Sequence, residues 1–112
     1  MNLDELWKRC VLKRDGGCCQ RCASELAYEP AVDAHHIIHK DTGFLRYHLD
    51  NGVALCRACH DKDAQGRLRG WCVEWMGEDR YWELKRMAHE LLGKPFDEDA
   101  VRKELRAYLI NS

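Results

Sequence analysis

The 112-residue sequence has no excess of charge of either sign, because 18 lysines and arginines stand against 19 aspartates and glutamates, for a formal net charge of -1. Proteins that read DNA sequence with high affinity usually carry a strongly basic surface, so this balance argues against that class. It does not exclude an enzyme that binds phosphate at one local site.

The sequence also lacks an apolar run near the roughly 18 residues that a membrane-spanning helix requires, so we expect no membrane partner. Residues 1–5 contain no basic stretch leading into an apolar one, which predicts no signal peptide and a cytoplasmic location. In that setting the 7 cysteines indicate reduced thiols and metal ligands, not a disulfide framework.

The hydrophobic fraction of 46% and the charged fraction of 33% describe a folded globular chain. Its length predicts one domain, and a core of this size is often supplemented by a structural metal or by dimerisation. No internal repeat and no low-complexity segment interrupts the chain.

Apolar residues at three- and four-residue spacing predict helices at residues 3–14, about 78–92 and about 98–110. Asn2 and Asp97 are placed to cap the first and the last of these helices, because a short polar side chain there accepts a hydrogen bond from the first turn. The sequence therefore predicts helices at both ends of the chain.

The middle of the chain predicts shorter elements. Strands are expected at residues 31–36 and 53–55, with a long irregular loop at 37–50 between them and a helix from about 57 to 65 after them. At residues 71–76, tryptophan and valine alternate with other side chains, which favours an extended segment.

Two adjacent histidines fall in the first predicted strand. Successive side chains of a strand point to opposite faces, so Ala34 and His36 belong to one face and Asp33 and His35 to the other. The two imidazoles are therefore expected to have different surroundings.

The strongest motif is a repeated Cys-x-x-Cys spacing, at Cys19 with Cys22 and at Cys56 with Cys59. Each pair makes a tight turn with two sulfurs on one side, and two such turns complete a closed tetrahedral zinc site. Four ordinary buried cysteines, or a redox pair, are the alternative. The insert between the pairs is longer than the roughly 15–20 residues of a plain zinc ribbon, which indicates a function of its own. The other cysteines are expected outside the site: Cys10, Cys18 and Cys72.

Five stretches stand in a fixed order in and around this insert: Arg14-Asp15-Gly16-Gly17, Cys19-Gln20-Arg21-Cys22, Ala34-His35-His36-Ile37-Ile38, Asn51-Gly52-Val53-Ala54-Leu55-Cys56 and Cys59-His60. Together they resemble the HNH endonucleases, the ββα-metal nucleases, and in particular their zinc-containing branch. The resemblance covers about residues 7–62. It implies an α+β fold: a small ββα-metal (His-Me finger) nuclease core with a four-cysteine zinc site, an N-terminal helix and a C-terminal helical extension. The nuclease domain is placed at residues 1–70, and the extension, packed on the same unit, at 71–112.

The resemblance also implies roles for single residues. His36 matches the general base that activates water, and Asn51 matches the central asparagine, which orients the backbone of the base. His35 and His60 match ligands of a catalytic divalent ion. The implied reaction is hydrolysis of a DNA phosphodiester to a 5′-phosphate and a 3′-hydroxyl. These roles suit the side chains, because a neutral imidazole accepts a proton near neutral pH and a divalent ion polarises a phosphoryl oxygen.

Zinc at the cysteines is expected to be structural, and the catalytic ion to be Mg²⁺ or Mn²⁺, with imidazole ligands favouring Mn²⁺. Some HNH enzymes carry a further His or Asn four residues after the last motif histidine, where this sequence has Ala64. The ion is therefore expected to have two protein ligands. One site in a monomer predicts nicking with little sequence preference, whereas a double-strand cut needs a homodimer or two encounters.

Arg46 and Arg57 are the candidates for contacting substrate phosphate, because each lies close to a motif residue. The alternative is a solvated face balanced by nearby aspartates.

A second function also stays open, a noncatalytic zinc-ribbon module that binds nucleic acid or a partner protein. The helix start at residues 77–81 is read as shared with phage and prophage HNH proteins. We expect no catalytic role for His39, His48 or His89. The core is expected to contain Trp71, Trp75, Tyr81 and Trp82.

Overall fold

The computed structural model describes residues 1–38, 43–61 and 68–111. His39 and Ala64 lie outside the described ranges, as do parts of the predicted loop at 37–50 and of the predicted helix at about 57–65. In chain order the described elements are α1 (Leu3–Arg14), α2 (Gln20–Ser24), β1 (Asp33–His36), two 3₁₀ helices (Gly43–Tyr47 and Leu49–Asn51), β2 (Gly52–Leu55), α3 (Arg57–Asp61), α4 (Leu68–Met76), α5 (Glu78–Leu91) and α6 (Glu98–Ile110).

Helix α1 is capped at both ends as its sequence predicts. Asn2 Oδ1 accepts a hydrogen bond from the Glu5 backbone N–H at 2.8 Å. At the other end, Gly16 and Gly17 have φ angles of 68° and 72°, a region that favours glycine. Their N–H groups donate to carbonyls of the last helical turn in the Schellman pattern. The buried face of the helix consists of Leu3, Leu6, Trp7, Cys10 and Val11.

Strands β1 and β2 form a two-stranded antiparallel sheet. In its register Asp33 lies opposite Leu55, and His36 lies opposite Gly52. Every residue of β2 is buried, whereas β1 is half-buried throughout. The sheet together with the surrounding helices confirms the predicted α+β class. Within the described ranges, no helix has the length and apolar character needed to cross a bilayer.

The end of α1 is attached to β2 by two side chains. Asp15 Oδ2 accepts a hydrogen bond from the Ala54 backbone N–H at 2.9 Å. The Arg14 guanidinium donates to the Gly52 carbonyl at 2.7 Å and to the Leu49 carbonyl at 2.6 Å. Arg14 also pairs with the Asp15 carboxylate at 2.9 Å, which keeps both side chains in place. The Arg-Asp-Gly-Gly stretch therefore joins the helix to the sheet.

Helix α6 packs against α1 from the far end of the chain. Its Val101 and Leu105 side chains are buried in the same apolar cluster as the α1 face. Lys13 Nζ donates to the carbonyls of Tyr108 and Leu109 at 2.7 and 2.8 Å, satisfying groups at the end of α6. The division of the chain at residue 70 stays a prediction.

The prediction of an extended segment at residues 71–76 is wrong, because these residues lie in α4. Leu68, Cys72 and Met76 are buried at a four-residue spacing, and the rings of Trp71 and Trp75 stack with centroids 5.8 Å apart. Alternation misled the prediction because this helix is apolar over most of its surface.

Two smaller expectations also need correction. Part of the predicted irregular loop is ordered as the two 3₁₀ helices that precede β2. Trp82 is 63% exposed and fills no core, whereas Tyr81 is buried as predicted. Neighbouring positions on a helix point about 100° apart, so α5 buries one of these two rings and exposes the other.

Candidate metal centre and active site

The four motif cysteines converge on one point. The Sγ atoms of Cys19, Cys22, Cys56 and Cys59 all lie within 4.8 Å of one another. Cys22 Sγ is 3.9 Å from Cys56 Sγ and 3.7 Å from Cys59 Sγ. A tetrahedral zinc ion with Zn–S bonds of about 2.3 Å needs sulfur–sulfur distances of about 3.8 Å. The cluster therefore fits a metal ion of that size and geometry, as the spacing predicted.

The electrostatics of the four thiols also favour a cation among them. Burial acts to raise the pKa of Cys19, but hydrogen bonds from Cys22 and Cys56 lower it to about 7. Burial and the hydrogen bond with Cys19 raise the pKa of Cys22 to about 11, and burial likewise raises that of Cys59. Once one of these thiols is ionised, ionising a second one nearby costs free energy, because the two negative charges repel. A bound divalent cation would remove that cost.

The remaining cysteines do not belong to the group of four ligand sulfurs, as expected. Cys10 and Cys72 are buried in the apolar core, and burial raises the pKa of the Cys10 thiol. Cys18, next to a motif cysteine, directs its Sγ to the Gly16 carbonyl at 3.5 Å. Only Cys19 of the adjacent pair faces the other three motif sulfurs.

A second group of polar side chains forms where β1 meets α3. The His35 and His60 rings approach edge to face, with centroids 5.4 Å apart. Asp33 lies on the same face of β1 as His35, and its Oδ2 is 3.2 Å from His60 Nδ1. Arg57 Nε donates to the same oxygen at 2.9 Å. Two imidazoles and a carboxylate are thus brought together from a strand and a helix.

The chemistry of this donor set fits a divalent ion. A carboxylate that accepts the Nδ1–H of His60 leaves the lone pair on Nε2, which is the usual arrangement for a metal-binding imidazole. Burial acts to raise the pKa of Asp33, but hydrogen bonds from His60 and Arg57 outweigh it and hold the pKa below its usual range. Among the described residues, only the four cysteines bring three or more ligand atoms within 4.8 Å of one another, so this group is more open.

His36 leaves β1 on the opposite face, as strand alternation predicted. Its ring stacks on the Trp7 indole with centroids 4.0 Å apart and an interplanar angle of 9°. Its Nε2 lies 2.9 Å from the Arg46 carbonyl oxygen. Because a carbonyl only accepts hydrogen bonds, Nε2 carries the proton in the neutral ring and Nδ1 carries the lone pair.

Asn51 is fully buried and bonded entirely to backbone. Its Nδ2 donates to the Ile38 and Leu45 carbonyls, each at 3.1 Å, and its Oδ1 accepts from the Ile38 N–H at 2.6 Å. These bonds fasten the chain just beyond β1 to the 3₁₀ helix before β2. The geometry suits an orienting residue, and the predicted role of Asn51 in the reaction stays a prediction.

The two candidate phosphate contacts are engaged in ion pairs. Arg46 pairs with Asp4 through two bonds of 2.8 and 2.6 Å, and Arg57 pairs with Asp33. The Arg57 side chain is 69% exposed, so it borders solvent beside the histidine pair. Their predicted contacts with substrate stay predictions.

The two other described histidines have different surroundings. His48 caps a 3₁₀ helix, accepting the Asp50 N–H at Nδ1. His89 is exposed near the end of α5. Neither imidazole belongs to the groups around His36 and His60, although the His48 carbonyl accepts a hydrogen bond from the Trp7 Nε1–H.

Two residues of the site were not identified from sequence, Asp33 and Trp7. Strand alternation already placed Asp33 on the face of His35, and that signal was sufficient to suggest it. For Trp7 there was no comparable signal, because its stack on His36 depends on how α1 crosses the sheet.

Two comparisons with known proteins found a similarity. Residues 19–65 match the family model described as HNH endonuclease. Among solved structures, the chain is similar to the HNH endonuclease of the deep-sea thermophilic bacteriophage GVE2, crystallised with a manganese ion, at 32% identity over 60% of this chain and 74% of that chain, with a TM-score of 0.47. No curated protein matches the chain.

A histidine-bearing antiparallel hairpin that leads into a histidine-bearing helix, tied by a four-cysteine cluster, is the expected framework of a zinc-containing ββα-metal protein. The chain belongs to the HNH endonuclease family, which confirms the predicted resemblance.

Proposed function

We propose that the protein is a metal-dependent endonuclease that hydrolyses DNA phosphodiester bonds, nicking one strand at a time with little sequence preference. The observation that carries the proposal is that the two adjacent histidines of β1 lie on opposite faces of the strand, each with different neighbours. His35 stands beside His60 and Asp33 on one face, and His36 stands on Trp7 on the other. Membership of the HNH endonuclease family supplies the reaction class.

His36 is the general base in this proposal. His36 donates its Nε2–H to the Arg46 carbonyl. Its Nδ1 therefore takes the proton from water as the water oxygen attacks phosphorus. The bond from phosphorus to the 3′ oxygen breaks, and that oxygen takes a proton from solvent, leaving a 5′-phosphate and a 3′-hydroxyl. The Arg46 carbonyl also stabilises the positive charge that the imidazole gains, because its oxygen carries partial negative charge.

His35 and His60 would hold a divalent ion, which when bound supplies charge stabilisation at the phosphoryl and leaving oxygens. Asp33 orients the His60 ring by accepting its Nδ1–H. Imidazole ligands favour Mn²⁺ over Mg²⁺, and the similar phage enzyme was crystallised with manganese. Activity in Mg²⁺ with no turnover in Mn²⁺ at any concentration would refute this preference.

The four thiolates would hold a structural zinc ion. Cys19 and Cys22 belong to the turn and helix after α1, and Cys56 and Cys59 to the junction of β2 with α3. Closing this cluster fixes the start of α3, and α3 carries His60. Zinc would thus position one side of the site without taking part in the reaction.

The test is nicking of supercoiled plasmid by wild type, His36→Ala and His89→Ala, each with Mg²⁺ or Mn²⁺. The matched control changes an exposed histidine of α5 by the same substitution. We expect His36→Ala to lose on the order of 10²–10⁴-fold in rate, the contribution of general base catalysis, and His89→Ala to keep wild-type activity.

Equal rates for His36→Ala and wild type would overturn the assignment of His36. A wild type that is inactive with every divalent ion would favour the noncatalytic zinc-ribbon module instead. Linear product at the first encounter would contradict nicking and point to a homodimer. Cytoplasmic location and a phage or prophage origin stay predictions that this assay does not address.

A further inference from the structure

We propose that Trp7 is a positioning residue for His36. Its indole is the platform, the flat surface on which the His36 ring stacks, and it determines the direction of the base nitrogen Nδ1. This inference rests on the proposed function, because it assigns a purpose to the orientation of the general base. The two rings lie almost parallel, with centroids 4.0 Å apart. Trp7 is only 2% exposed, so the platform is part of the core and not a surface side chain.

The platform is itself held in place on two sides. The indole Nε1–H of Trp7 donates to the His48 carbonyl at 3.0 Å. Gly52 lies opposite His36 in the sheet, and a Cβ added there would lie 2.6 Å from Trp7 Cζ2 and 2.7 Å from Val11 Cγ2. The missing side chain at Gly52 therefore makes the space that the indole occupies.

The same helix also fixes the carbonyl that His36 contacts. Asp4, one turn before Trp7 on α1, holds the Arg46 guanidinium through two hydrogen bonds. The Arg46 carbonyl in turn accepts from His36 Nε2. The hydrogen bond fixes one edge of the imidazole, and the stack fixes the plane of the ring. Together they leave one direction for Nδ1.

A general base depends on this kind of constraint, because a misplacement of about 1 Å can cost on the order of 10²-fold in rate. Trp7→Leu keeps an apolar side chain in the core but removes the flat face, and Trp7→Phe keeps a flat ring without the N–H. We expect Trp7→Leu to lose on the order of 10²-fold in kcat with KM unchanged, and Trp7→Phe to stay within about tenfold of wild type. Zinc content and circular dichroism report whether each variant is folded.

A second readout does not depend on activity. Nitrogen-15 NMR of labelled histidine distinguishes the two neutral tautomers of His36. We expect the Nε2-protonated form in wild type and Trp7→Phe, and a mixture of tautomers in Trp7→Leu. Wild-type kcat in Trp7→Leu would overturn the inference. So would a loss of kcat with the His36 tautomer unchanged, because that loss would come from a general structural effect.

If Trp7→Leu fails to fold, His36→Gly tests the same platform with the core intact. The space between Trp7 and the Arg46 carbonyl should then accept free imidazole and recover part of the nicking activity, and no recovery would overturn the inference. An inactive wild type, or a fully active His36→Ala, removes the proposed function. The result that would overturn only the role of Trp7 is an active wild type, an inactive His36→Ala and a Trp7→Leu variant with wild-type activity.

Discussion

Replacing Asn51 with alanine should destabilise the fold far more than a typical polar substitution. The side chain is fully buried, and its amide makes three hydrogen bonds to backbone groups of Ile38 and Leu45. Alanine leaves the Ile38 N–H and carbonyl without these partners in the interior, whereas the Leu45 carbonyl keeps the hydrogen bond from the His48 N–H. Each buried unsatisfied group costs about 1–3 kcal/mol.

The expected loss is about 3–5 kcal/mol of unfolding free energy, since the carbonyls have second lone pairs and part of the cost is relieved by relaxation. Total stabilities of natural domains are about 5–15 kcal/mol, so Asn51→Ala takes a large share. At about 4 °C per kcal/mol for a domain near this size, Tm should fall by about 12–20 °C.

The assay is urea unfolding of zinc-saturated protein, followed by circular dichroism. The slope of the unfolding free energy against urea concentration should be the same for each variant and the wild type. Asn2→Ala is the matched control, because it removes one exposed hydrogen bond, to the Glu5 N–H, and should cost about 1 kcal/mol. If Asn51→Ala costs no more than Asn2→Ala, the reasoning about its buried bonds is refuted.

Two further predictions concern the metal sites. Wild type and Cys18→Ser should each contain one zinc per chain by elemental analysis, whereas Cys22→Ser should lose it and unfold at lower temperature; retention of full zinc by Cys22→Ser would contradict the cluster. Asp33→Ala should weaken Mn²⁺ binding by about 10–100-fold in calorimetry, because His60 loses the carboxylate that orients it, while His36→Ala should bind Mn²⁺ like wild type. Unchanged affinity in Asp33→Ala would remove its orienting role.

Much of the site could be predicted because its signals are local in sequence. The Cys-x-x-Cys spacing is sufficient to place Cys19 and Cys22 on one side of a turn, and their convergence with the second pair follows. Strand alternation likewise separates His35 from His36, which contact different neighbours in the structure. These features depend on backbone geometry over a few residues, so the sequence determines them directly.

The rest depends on tertiary packing, which no short pattern records. The apolar face that contains Trp7 predicted burial, but the choice of His36 as its stacking partner follows from the position of α1 on the sheet. The pairing of Arg46 with Asp4 has the same origin. Helix α4 was misread because Trp71 and Trp75 satisfy both the two-residue and the four-residue spacing, and only the packed core decides between them.

The attachment of α1 to β2 also bears on how copies of this chain can associate. A strand at the edge of a sheet presents unpaired N–H and C=O groups to which another chain can add. Here the Asp15 carboxylate occupies the N–H of Ala54, and the Arg14 guanidinium occupies the carbonyl of Gly52. These side chains block strand addition there, which protects against edge-to-edge aggregation. A dimer of this protein would therefore have to associate through side-chain surfaces and not by extending its sheet from β2.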